Sequence, residues 1–504
     1  MNRRHFLSVA GSSVLSACSA RRPHRALPGV IVESYRSAPN SLDPTAAFSD
    51  VAHEMFGRIY SGLLRYDAEG KLAPDLAREY TVSPEAVHLR IAENATWHDG
   101  RPVVAADIVE SLRRYGSSDY PFSSNFGAIG AVDASRWPQV AIHLRHPSFA
   151  ILHALTARVV PAHVRDLREN PVGCGFYRVV DRHADDLKLR AHAGYHGVPA
   201  SIETVHCRTV PDPTTQYLEL LAGETDVAEI SADLHREASS DSALLPRLRL
   251  FSIQSKAIEF LFFNVQRIAD KILRQAIASC VDRDEMVRYL YWGNGRVVDS
   301  PFLNPFNTQA RMVGPNPDVA RALLKRAGYD RTPVGVKRRD GTQVEFSIIY
   351  NADSVKRGQV AQVVRQSVLR TLGIQARVVP LERGLFETLL FRRDYDCAVY
   401  GFSFSADPDD VGNLYLSGSE NNVTGFKSSD VDELLARARD LLPGDVKSGC
   451  YAEIERILTE ELPALPLLSY NFPIAVSRRI SLSPPSIIGD TYRFTRDQNL
   501  WRLA

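Results

Sequence analysis

The sequence predicts an α/β protein of at least two lobes, and three observations lead to this fold class. The chain has 504 residues, which is more than a single hydrophobic core usually holds. Strand-like and helix-like hydrophobic patterns occur along most of its length. In the second half, a strand at 347–350, a helix at about 358–372 and a strand at 376–379 form a β-α-β unit. Because a helix separates them, the two strands of this unit are expected to run parallel.

The N-terminal half mixes elements of both kinds. Met55, Ile59 and Leu63 recur at helical spacing and define one apolar face. The Gly173-Cys174-Gly175 segment indicates a backbone position that only glycine can occupy. From these periods we predict strands at 30–35 and 80–91 and helices at 45–66 and 105–114.

The second half contains the most apolar strand of the chain, at 258–265, which we expect to be buried on both faces. Another apolar strand is predicted at 396–402. Asp282 and Asp318 each precede a helical pattern and are predicted to cap it, because a carboxylate can accept from the first free N–H groups. Gly328 is expected to end the second of these helices.

Composition excludes several classes of protein. Hydrophobic residues make up 44% and charged residues 24% of the chain, which is typical of a folded globular protein. The formal net charge of +1 argues against a nucleic-acid partner, because such proteins usually present a strongly basic surface. After residue 18 no apolar run is long enough to span a bilayer.

The first eighteen residues have the layout of an export signal. Arg3 and Arg4 precede a short apolar segment, which is too short for a transmembrane helix. The stretch from Arg3 to Leu7 resembles the twin-arginine signal core, and general export remains the other route. The alternative is a cytosolic N-terminus, which the order and spacing of the segment disfavour. We therefore predict a signal peptide over residues 1–17.

The segment Leu15-Ser16-Ala17-Cys18 resembles the bacterial lipobox, in which the cysteine becomes the lipidated first residue. Cys18 would then carry acyl chains, palmitate among them, and anchor the protein to a membrane. Residues 18–29 contain proline and arginine without hydrophobic periodicity, so we predict a tether there.

The remaining cysteines are odd in number, so they cannot all pair. We expect buried thiols rather than a disulfide framework. If one bridge forms, Cys174–Cys207 is the expected pair, because both cysteines are predicted on strands. His192 and His196 have the spacing of two metal ligands on a helix, but the glycine and proline around them indicate a loop. We predict no metal site and no cofactor.

Five sequence blocks, in order, resemble the family 5 extracellular solute-binding proteins, the oligopeptide, dipeptide and nickel binders of ABC importers. The most recognisable block is Trp97-His98-Asp99-Gly100-Arg101-Pro102, followed by a helix. Two departures stand out: Gly173-Cys174-Gly175-Phe176-Tyr177 replaces G-T-G-P-Y, and Phe402 stands where a tryptophan is frequent. The resemblance covers residues 30 to about 480, in blocks at 59–77, 97–112, 263–283, 322–329 and 422–435.

The resemblance implies a two-lobe periplasmic-binding-protein fold of type II, hinged, with an extra small domain inserted in the N-terminal lobe. The hinge crossings are expected near 258–264 and 473–476. The implied domains are lobe I at 30–265, its inserted small domain at about 45–165, lobe II at 266–472, and a return to lobe I at 473–504.

The resemblance also implies a function. A lipid-anchored, monomeric protein in the periplasm or on the outer face of the cell envelope would capture a peptide or another small solute. It would deliver this ligand to an ABC permease, without catalysis. A sensor or chaperone role remains open. An exported hydrolase is the other alternative, but the chain contains no G-x-S-x-G elbow and no S-x-x-K with its partner motifs.

The candidate ligand loop spans residues 402–410, after a buried strand, where binding residues of open α/β sheets frequently lie. In peptide-binding relatives, an aspartate of this loop holds the ligand α-ammonium, with an aromatic residue three positions earlier. Asp407 and Phe404 occupy the matching positions, and Phe402 lies near the pocket. The alternative for Asp407 is a solvated turn shaped by Pro408.

Two further aromatic residues are candidates for ligand contact. Tyr35 ends the first strand and offers a rigid ring with a polar tip, although a packed core tyrosine has the same pattern. Trp292 is predicted either to line the cleft or to anchor a surface loop. Trp97, His98 and Asn264 are expected to be structural.

Overall fold

A computed structural model describes residues 28–46, 49–67, 70–120, 123–302, 306, 314–333, 335–404, 408–441, 445–482 and 494–504. Cys18, Asp407 and the predicted signal peptide therefore lie outside the described residues. Within the described part, no helix is both long enough and apolar enough to cross a membrane.

The described chain contains strands β1 Val30–Tyr35, β2 Leu64–Tyr66, β3 Leu72–Pro74, β4 Ala77–Val82, β5 Ala86–Ile91, β6 Ile129–Asp133, β7 Gln139–Leu144, β8 Tyr177–His183, β9 Asp186–Ala191, β10 Thr204–Thr209, β11 Val227–Glu229, β12 Leu248–Gln254, β13 Ala257–Phe263, β14 Gly295–Val297, β15 Asp330–Thr332, β16 Gly335–Lys337, β17 Glu345–Asn351, β18 Gln375–Leu381, β19 Cys397–Ser403, β20 Ala464–Ser477, β21 Ile480–Ser481 and β22 Arg502–Leu503. Its α-helices are α1 Asp50–Ile59, α2 Ala105–Tyr115, α3 Ile151–Ala154, α4 Pro213–Ala222, α5 Ala232–Ser240, α6 Lys271–Ala278, α7 Arg283–Glu285, α8 Pro317–Ala327, α9 Val355–Leu372, α10 Arg383–Phe391, α11 Pro408–Gly412, α12 Ser429–Arg439 and α13 Asp445–Glu461. A π-helix follows α7 at Met286–Leu290, and short 3₁₀ helices lie at Ser123–Phe126 and Gln498–Leu500.

Two sets of hydrophobic cores divide the molecule into two lobes. The N-terminal core collects side chains from β1, α1, the β4–β7 region and the chain terminus around Trp501. The C-terminal lobe contains two cores, one on each side of β13, because alternate side chains of this strand point to opposite faces. All seven residues of β13 are buried, as predicted for this strand.

A 12-stranded sheet runs through both lobes. Its main path is β18-β17-β19-β13-β20-β11-β1-β10-β9-β8, with β12 and β14 also paired to β20. In the N-terminal lobe, β1 lies parallel to both β10 and β11. In the C-terminal lobe, β17 lies parallel to both β18 and β19. Parallel neighbours place the carboxyl ends of several strands at one edge of each lobe's sheet.

The strand β20 belongs to both lobes. Its first residues pair with β13 of the C-terminal lobe, and its last residues pair with β11 and β12 of the N-terminal lobe. A second connection is the step from β12 to β13, where only Ser255 and Lys256 separate the two strands. The chain therefore passes between the lobes through extended backbone.

A separate antiparallel sheet lies between β1 and β8 in the sequence, with strand order β4-β5-β7-β6. Helix α2 follows β5, and the buried Trp97 in the segment between them donates its indole N–H to Asp107 of α2 at 3.0 Å. Asp107 also accepts from the backbone of Val104 at 2.8 Å. Trp97 is thus a scaffold residue, as its position in the sequence signature indicated.

Several predicted elements are confirmed, among them β1, α2 and the β17-α9-β18 unit. The helix predicted over 45–66 is wrong at both ends. It begins at Asp50, where the Ser49 side chain accepts from Ala52 N, and it ends at Ile59. The apolar residues beyond Ile59 belong instead to an extended segment and to β2.

Two other local predictions are also wrong. The single strand predicted over 80–91 is the hairpin of β4 and β5, because residues 83–85 turn the chain. The N-cap predicted for the helix at 319–327 is also wrong. Asn316, and not Asp318, caps α8, because Pro317 occupies the first helical position and moves the start forward. Asp282 does cap its helix, and Gly328 ends α8 in a left-handed conformation, as predicted.

The glycines at 173 and 175 are required by close backbone approach, not by a positive φ. A Cβ added at Gly173 would lie 1.9 Å from the carbonyl oxygen of Ile59. One added at Gly175 would lie 2.3 Å from the carbonyl oxygen of Arg58. The Gly175 N–H donates to the same Ile59 oxygen at 2.8 Å, so the two chain segments touch through their main chains.

The disulfide considered for Cys174–Cys207 does not form. Cys174, Cys207, Cys280, Cys397 and Cys450 are all buried and free. Cys174 precedes β8 instead of lying on a strand, and the Cys207 thiol accepts from Arg58 at 3.5 Å. Burial raises the pKa of both thiols, so they are protonated at neutral pH.

Candidate ligand site between the lobes

The predicted ligand loop begins where the chain crosses between the lobes. Strand β19 runs antiparallel to β13, so its last residue, Ser403, pairs with the first residue of β13, Ala257. The Phe404 N–H then donates to the carbonyl oxygen of Lys256 at 3.4 Å. The loop that continues to Asp407 therefore leaves the sheet beside the crossing, which is a favoured position for a ligand.

The two phenylalanines of this loop have different environments. The Phe404 ring is buried and meets Phe260 edge to face at 6.3 Å between centroids. Phe402 is half-buried and meets Tyr400 and Phe262 edge to face. Of the two, Phe402 retains exposed ring surface, whereas Phe404 forms part of the core that supports the loop.

Tyr35 projects from the end of β1 into a buried charge network. Its hydroxyl lies 2.6 Å from Glu33 Oε2 and 3.2 Å from Glu54 Oε1, and it accepts from Arg58 Nη2 at 2.6 Å. Arg58 also forms ion pairs with Glu33 at 2.8 Å and Glu54 at 3.0 Å. Gln498 donates to Glu33, and the network thereby joins β1, α1 and the C-terminal segment.

Tyr35 also lines a cavity of about 600 Å³ in the N-terminal lobe. Its hydroxyl is therefore held inside the network, and the residue forms part of a cavity wall. Burial raises the pKa of its hydroxyl well above the ordinary value, so the group stays protonated. Other residues lining the cavity are Ser37, Met55, Arg168, Arg182 and Arg208.

The same network predicts a pH-dependent stability. Burial, partly opposed by the Arg58 charge, raises the pKa of Glu54 from 4.5 to about 7. Between these values the folded protein holds a proton that the unfolded chain releases, so the free energy of unfolding should fall as pH rises from about 4.5 to 7. The expected loss is about 3 kcal/mol, at 1.36 kcal/mol per unit of pKa. In Glu54→Gln this part of the pH dependence should disappear.

Urea unfolding at half-unit steps from pH 4.5 to 8 measures this effect. The control is Glu93→Gln, which removes a largely exposed carboxylate and should keep the wild-type profile. Identical pH profiles for Glu54→Gln and wild type would contradict the assignment.

Trp292 lies at the other side of the crossing, after the π-helix of the C-terminal lobe. It is 42% exposed and has a left-handed backbone conformation, with φ of 54°. The guanidinium of Arg236, on α5 of the N-terminal lobe, lies 4.4 Å from the centre of its ring. Trp292 therefore makes a cation–π contact from one lobe to the other.

Sequence reasoning missed a polar cluster at the lobe boundary. Tyr66 of β2 bonds through its hydroxyl to Nδ1 of His153 at 2.7 Å, and the Lys256 ammonium lies 5.3 Å from the centre of the Tyr66 ring. Burial, together with the charges of Lys447 and Lys256, lowers the pKa of His153 to about 4. The imidazole is therefore neutral at physiological pH, and the lysines supply the charge.

A second missed pair lies in the C-terminal lobe. Glu259 is buried in β13 and accepts from Arg357 at 3.1 Å, and Arg357 lies over the ring of Tyr400 at 4.5 Å. A charged residue inside the apolar run of β13 needs such a partner, because an isolated buried carboxylate is very costly. A charged residue within the apolar sequence of β13 was therefore the signal that could have predicted a buried ion pair at Glu259.

Histidines 192 and 196 lie in a loop, as predicted. His192 bonds to Thr96, and His196 to Asp75 at 3.2 Å. Among the described residues, no group of three or more His, Cys, Asp or Glu side chains is arranged to hold a metal. Asn264 bonds to main chain, donating to the Arg393 carbonyl at 2.7 Å.

These features define a class: a two-lobe solute-binding protein whose candidate site lies where extended strands join the lobes. The family model of the bacterial extracellular solute-binding proteins, family 5, matches residues 71–424. The chain belongs to this family, and the predicted family and two-lobe fold are confirmed. Family members bind solutes outside the cytoplasm and are not enzymes, so the hydrolase alternative is set aside.

Known relatives cover nearly the whole chain. The dipeptide-binding protein DppE of Bacillus subtilis (strain 168) is 22% identical, over 88% of this chain and 87% of the relative. The glutathione-binding protein GsiB of Salmonella typhi is 25% identical, over 90% of this chain and 91% of the relative. The crystal structure of the ABC transporter substrate-binding protein CtaP of Listeria monocytogenes has a TM-score of 0.83 at 20% identity, covering 94% of this chain and 99% of that one.

Proposed function

We propose that this protein captures a peptide or a similar small solute between its lobes and delivers it to an ABC permease. The observation that carries the proposal is the ligand loop, which leaves β19 beside the strand crossing at Lys256. A ligand held there would touch both lobes and would favour their closure through contacts made only in the closed state. The similarity to DppE, a dipeptide-binding protein, and to GsiB, a glutathione-binding protein, supports a peptide-like solute.

We propose further that the mature protein is a monomer anchored through acylated Cys18, after a signal peptide of twin-arginine or general type. The family's extracellular location supports export. A tether over residues 18–29 would keep the binding lobes near the permease and raise their effective concentration there.

The lobe boundaries are also a proposal: lobe I at 30–265 with a small domain at about 45–165, lobe II at 266–472, and a return at 473–504. The dual pairing of β20 and the short step from β12 to β13 support two crossings between the lobes.

Within the site, we assign Asp407 as the partner of the ligand α-ammonium. A carboxylate can replace part of the hydration that an ammonium loses in a closed cleft. Phe402, with exposed ring surface beside the loop, would contact the solute, and Phe404 would hold the loop from below. Tyr35 would contact the solute from the N-terminal lobe, and Trp292 would contact it from the C-terminal lobe.

Replacing Asp407 tests this assignment. Asp407→Asn should weaken binding of trialanine by about 2–5 kcal/mol, the scale of a broken buried charged pair, which is about 30-fold to several thousand-fold in Kd. Isothermal titration calorimetry measures the loss. The control Asp430→Asn removes an exposed carboxylate from α12 and should leave Kd unchanged. Equal affinity of wild type and Asp407→Asn for trialanine would reject the role.

Native mass spectrometry of protein purified from its own cell envelope tests the ligand class. Peptide masses released from the protein would support the proposal. A saccharide or a metal chelate in their place would contradict it.

A further inference from the structure

The cavity of the N-terminal lobe lies where two parallel strands end. Tyr35 and Thr209, the paired last residues of β1 and β10, both line it, and so does the hairpin that joins β8 to β9. Ligands of open α/β sheets frequently bind at the carboxyl ends of parallel strands. The volume of about 600 Å³ is typical of a small-molecule site. Among the described residues, those that line the cavity all lie between 35 and 209, so one lobe forms its walls.

Arginines dominate the charge around this cavity. The arginines, aspartates and glutamates that line it are Arg168, Glu169, Arg182, Asp186 and Arg208. Two of these charges already have partners. Arg208 donates two hydrogen bonds to Glu219, at 3.1 and 3.2 Å. Asp186 is bonded to His206 of the neighbouring strand. These two residues are therefore engaged within the protein.

The other charges leave an excess of guanidinium groups. Arg182 Nη1 donates to the main-chain carbonyl oxygen of Arg168 at 2.8 Å, which holds this guanidinium beside the segment before β8. Within the described ranges, neither Arg168 nor Arg182 forms an ion pair. Both side chains are exposed and can be hydrated, so their positions cost little. Two guanidinium groups thus stand against the single carboxylate of Glu169, and both have N–H groups left to donate.

Neutral donors line the same cavity. The Asn40 Oδ1 accepts from the Ser49 hydroxyl at 3.0 Å, which leaves the amide N–H groups of Asn40 to donate elsewhere. Ser37 and Thr209 add hydroxyl groups to the lining. Carboxylates and phosphates accept hydrogen bonds through several oxygens, and the planar guanidinium fork matches their geometry. A cavity rich in donors and in positive charge is therefore suited to an oxyanion.

We propose that this cavity is a second binding site, which holds a small oxyanion, a carboxylate or a phosphate, against Arg168 and Arg182. Asn40 and Ser37 supply neutral hydrogen bonds to it. The site goes beyond the capture of a solute between the lobes. Because its walls come from one lobe, its occupation requires no closure of the lobes.

Isothermal titration calorimetry of the full protein at low ionic strength tests the site with succinate, inorganic phosphate and the uncharged succinamide. Arg182→Gln removes one guanidinium group. The matched control Arg190→Gln removes another exposed arginine, near the other end of β9. Ala184→Trp places a large ring at the exposed hairpin turn that lines the cavity and leaves the net charge unchanged. Thermal unfolding checks that each variant is folded.

Wild type and Arg190→Gln should bind at least one of the two anions with a Kd of about 1 mM or tighter, and neither should bind succinamide. Arg182→Gln should bind the anion about tenfold more weakly or worse, because it loses a charge-assisted hydrogen bond. Ala184→Trp should weaken binding as well, because the indole takes up the space. Tighter binding of succinate would assign the site to carboxylates, and tighter binding of phosphate would assign it to phosphoryl groups.

Equal anion affinity of Arg182→Gln and wild type would overturn the proposal, and so would succinamide binding as tight as that of succinate. Saturating trialanine should leave the affinity for the anion unchanged, whereas competition between them would place the anion in the cleft and overturn the second site. Trialanine binding without any anion binding would reject this site and keep the proposed function. Anion binding through Arg182 without trialanine binding would do the reverse.

Discussion

Arg58→Met is expected to lower the free energy of unfolding by about 3–5 kcal/mol, the range measured when one partner of a buried ion pair is removed. Arg58 is completely buried and pairs with Glu33, itself only 1% exposed, and with Glu54. Burial lowers and the Glu33 carboxylate raises the pKa of Arg58, and the net direction is upward. Without the guanidinium, the Glu33 carboxylate and the Glu54 carboxyl group would be left with only neutral groups around them.

Guanidinium chloride unfolding followed by circular dichroism measures the change. The control is Arg113→Met on α2, which breaks an exposed pair with Glu110 and should alter stability by less than about 1 kcal/mol. Adding Glu54→Gln to Arg58→Met should recover part of the loss, because it removes one of the two acidic groups that Arg58 pairs with. A loss no larger than that of Arg113→Met would show that the network is not a stabilising unit.

Gly173→Ala is expected to cause a comparable or larger loss, about 4 kcal/mol or more, which is exceptional for a single substitution. The added methyl group would lie 1.9 Å from the Ile59 carbonyl oxygen, and neither atom belongs to a flexible side chain. The contact can be relieved only by separating α1 from the segment before β8. That movement would also break the bond from His98 N–H to the Gly173 carbonyl, 2.8 Å long.

Thermal unfolding of Gly173→Ala, with the yield of soluble protein, measures this effect. Gly418→Ala is the matched control, because a Cβ there meets nothing within 4 Å. If the two variants unfold at the same temperature, the main chain at Gly173 does not lie as close to the Ile59 carbonyl as described.

The sequence predicted these parts of the fold well because hydrophobic periodicity and turn residues depend on neighbours that are close in the sequence. Trp97 and the helix after it, the β17-α9-β18 unit and the apolar β13 all follow from hydrophobic period and turn chemistry. The blocks also identified the family, which composition alone does not reach.

The boundaries of elements were less predictable. The apolar spacing of Met55, Ile59 and Leu63 continues past the end of α1, because the same core buries both the helix and the extended segment after it. Periodicity reports burial and not the backbone hydrogen bonds that end a helix. For the same reason the turn at 83–85 was hidden inside an apparently continuous strand.

The charged clusters depend on long-range contacts that no sequence spacing reveals. Arg58 meets Glu33 across 25 positions, and Arg236 and Trp292 come from opposite lobes. The one available signal was a charge within an apolar run: Glu259 in β13 and Lys256 just before it. Such residues require a partner, but the sequence does not name that partner.

The shared strand β20 has a consequence for biosynthesis. In the N-terminal lobe, β11 and β12 both pair with residues 471–477 of β20, and not with each other. These residues leave the ribosome after almost the whole C-terminal lobe has been made. Although domains usually fold in the order of their synthesis, the first lobe of this protein lacks a central strand until the second has emerged. Its sheet is therefore completed last.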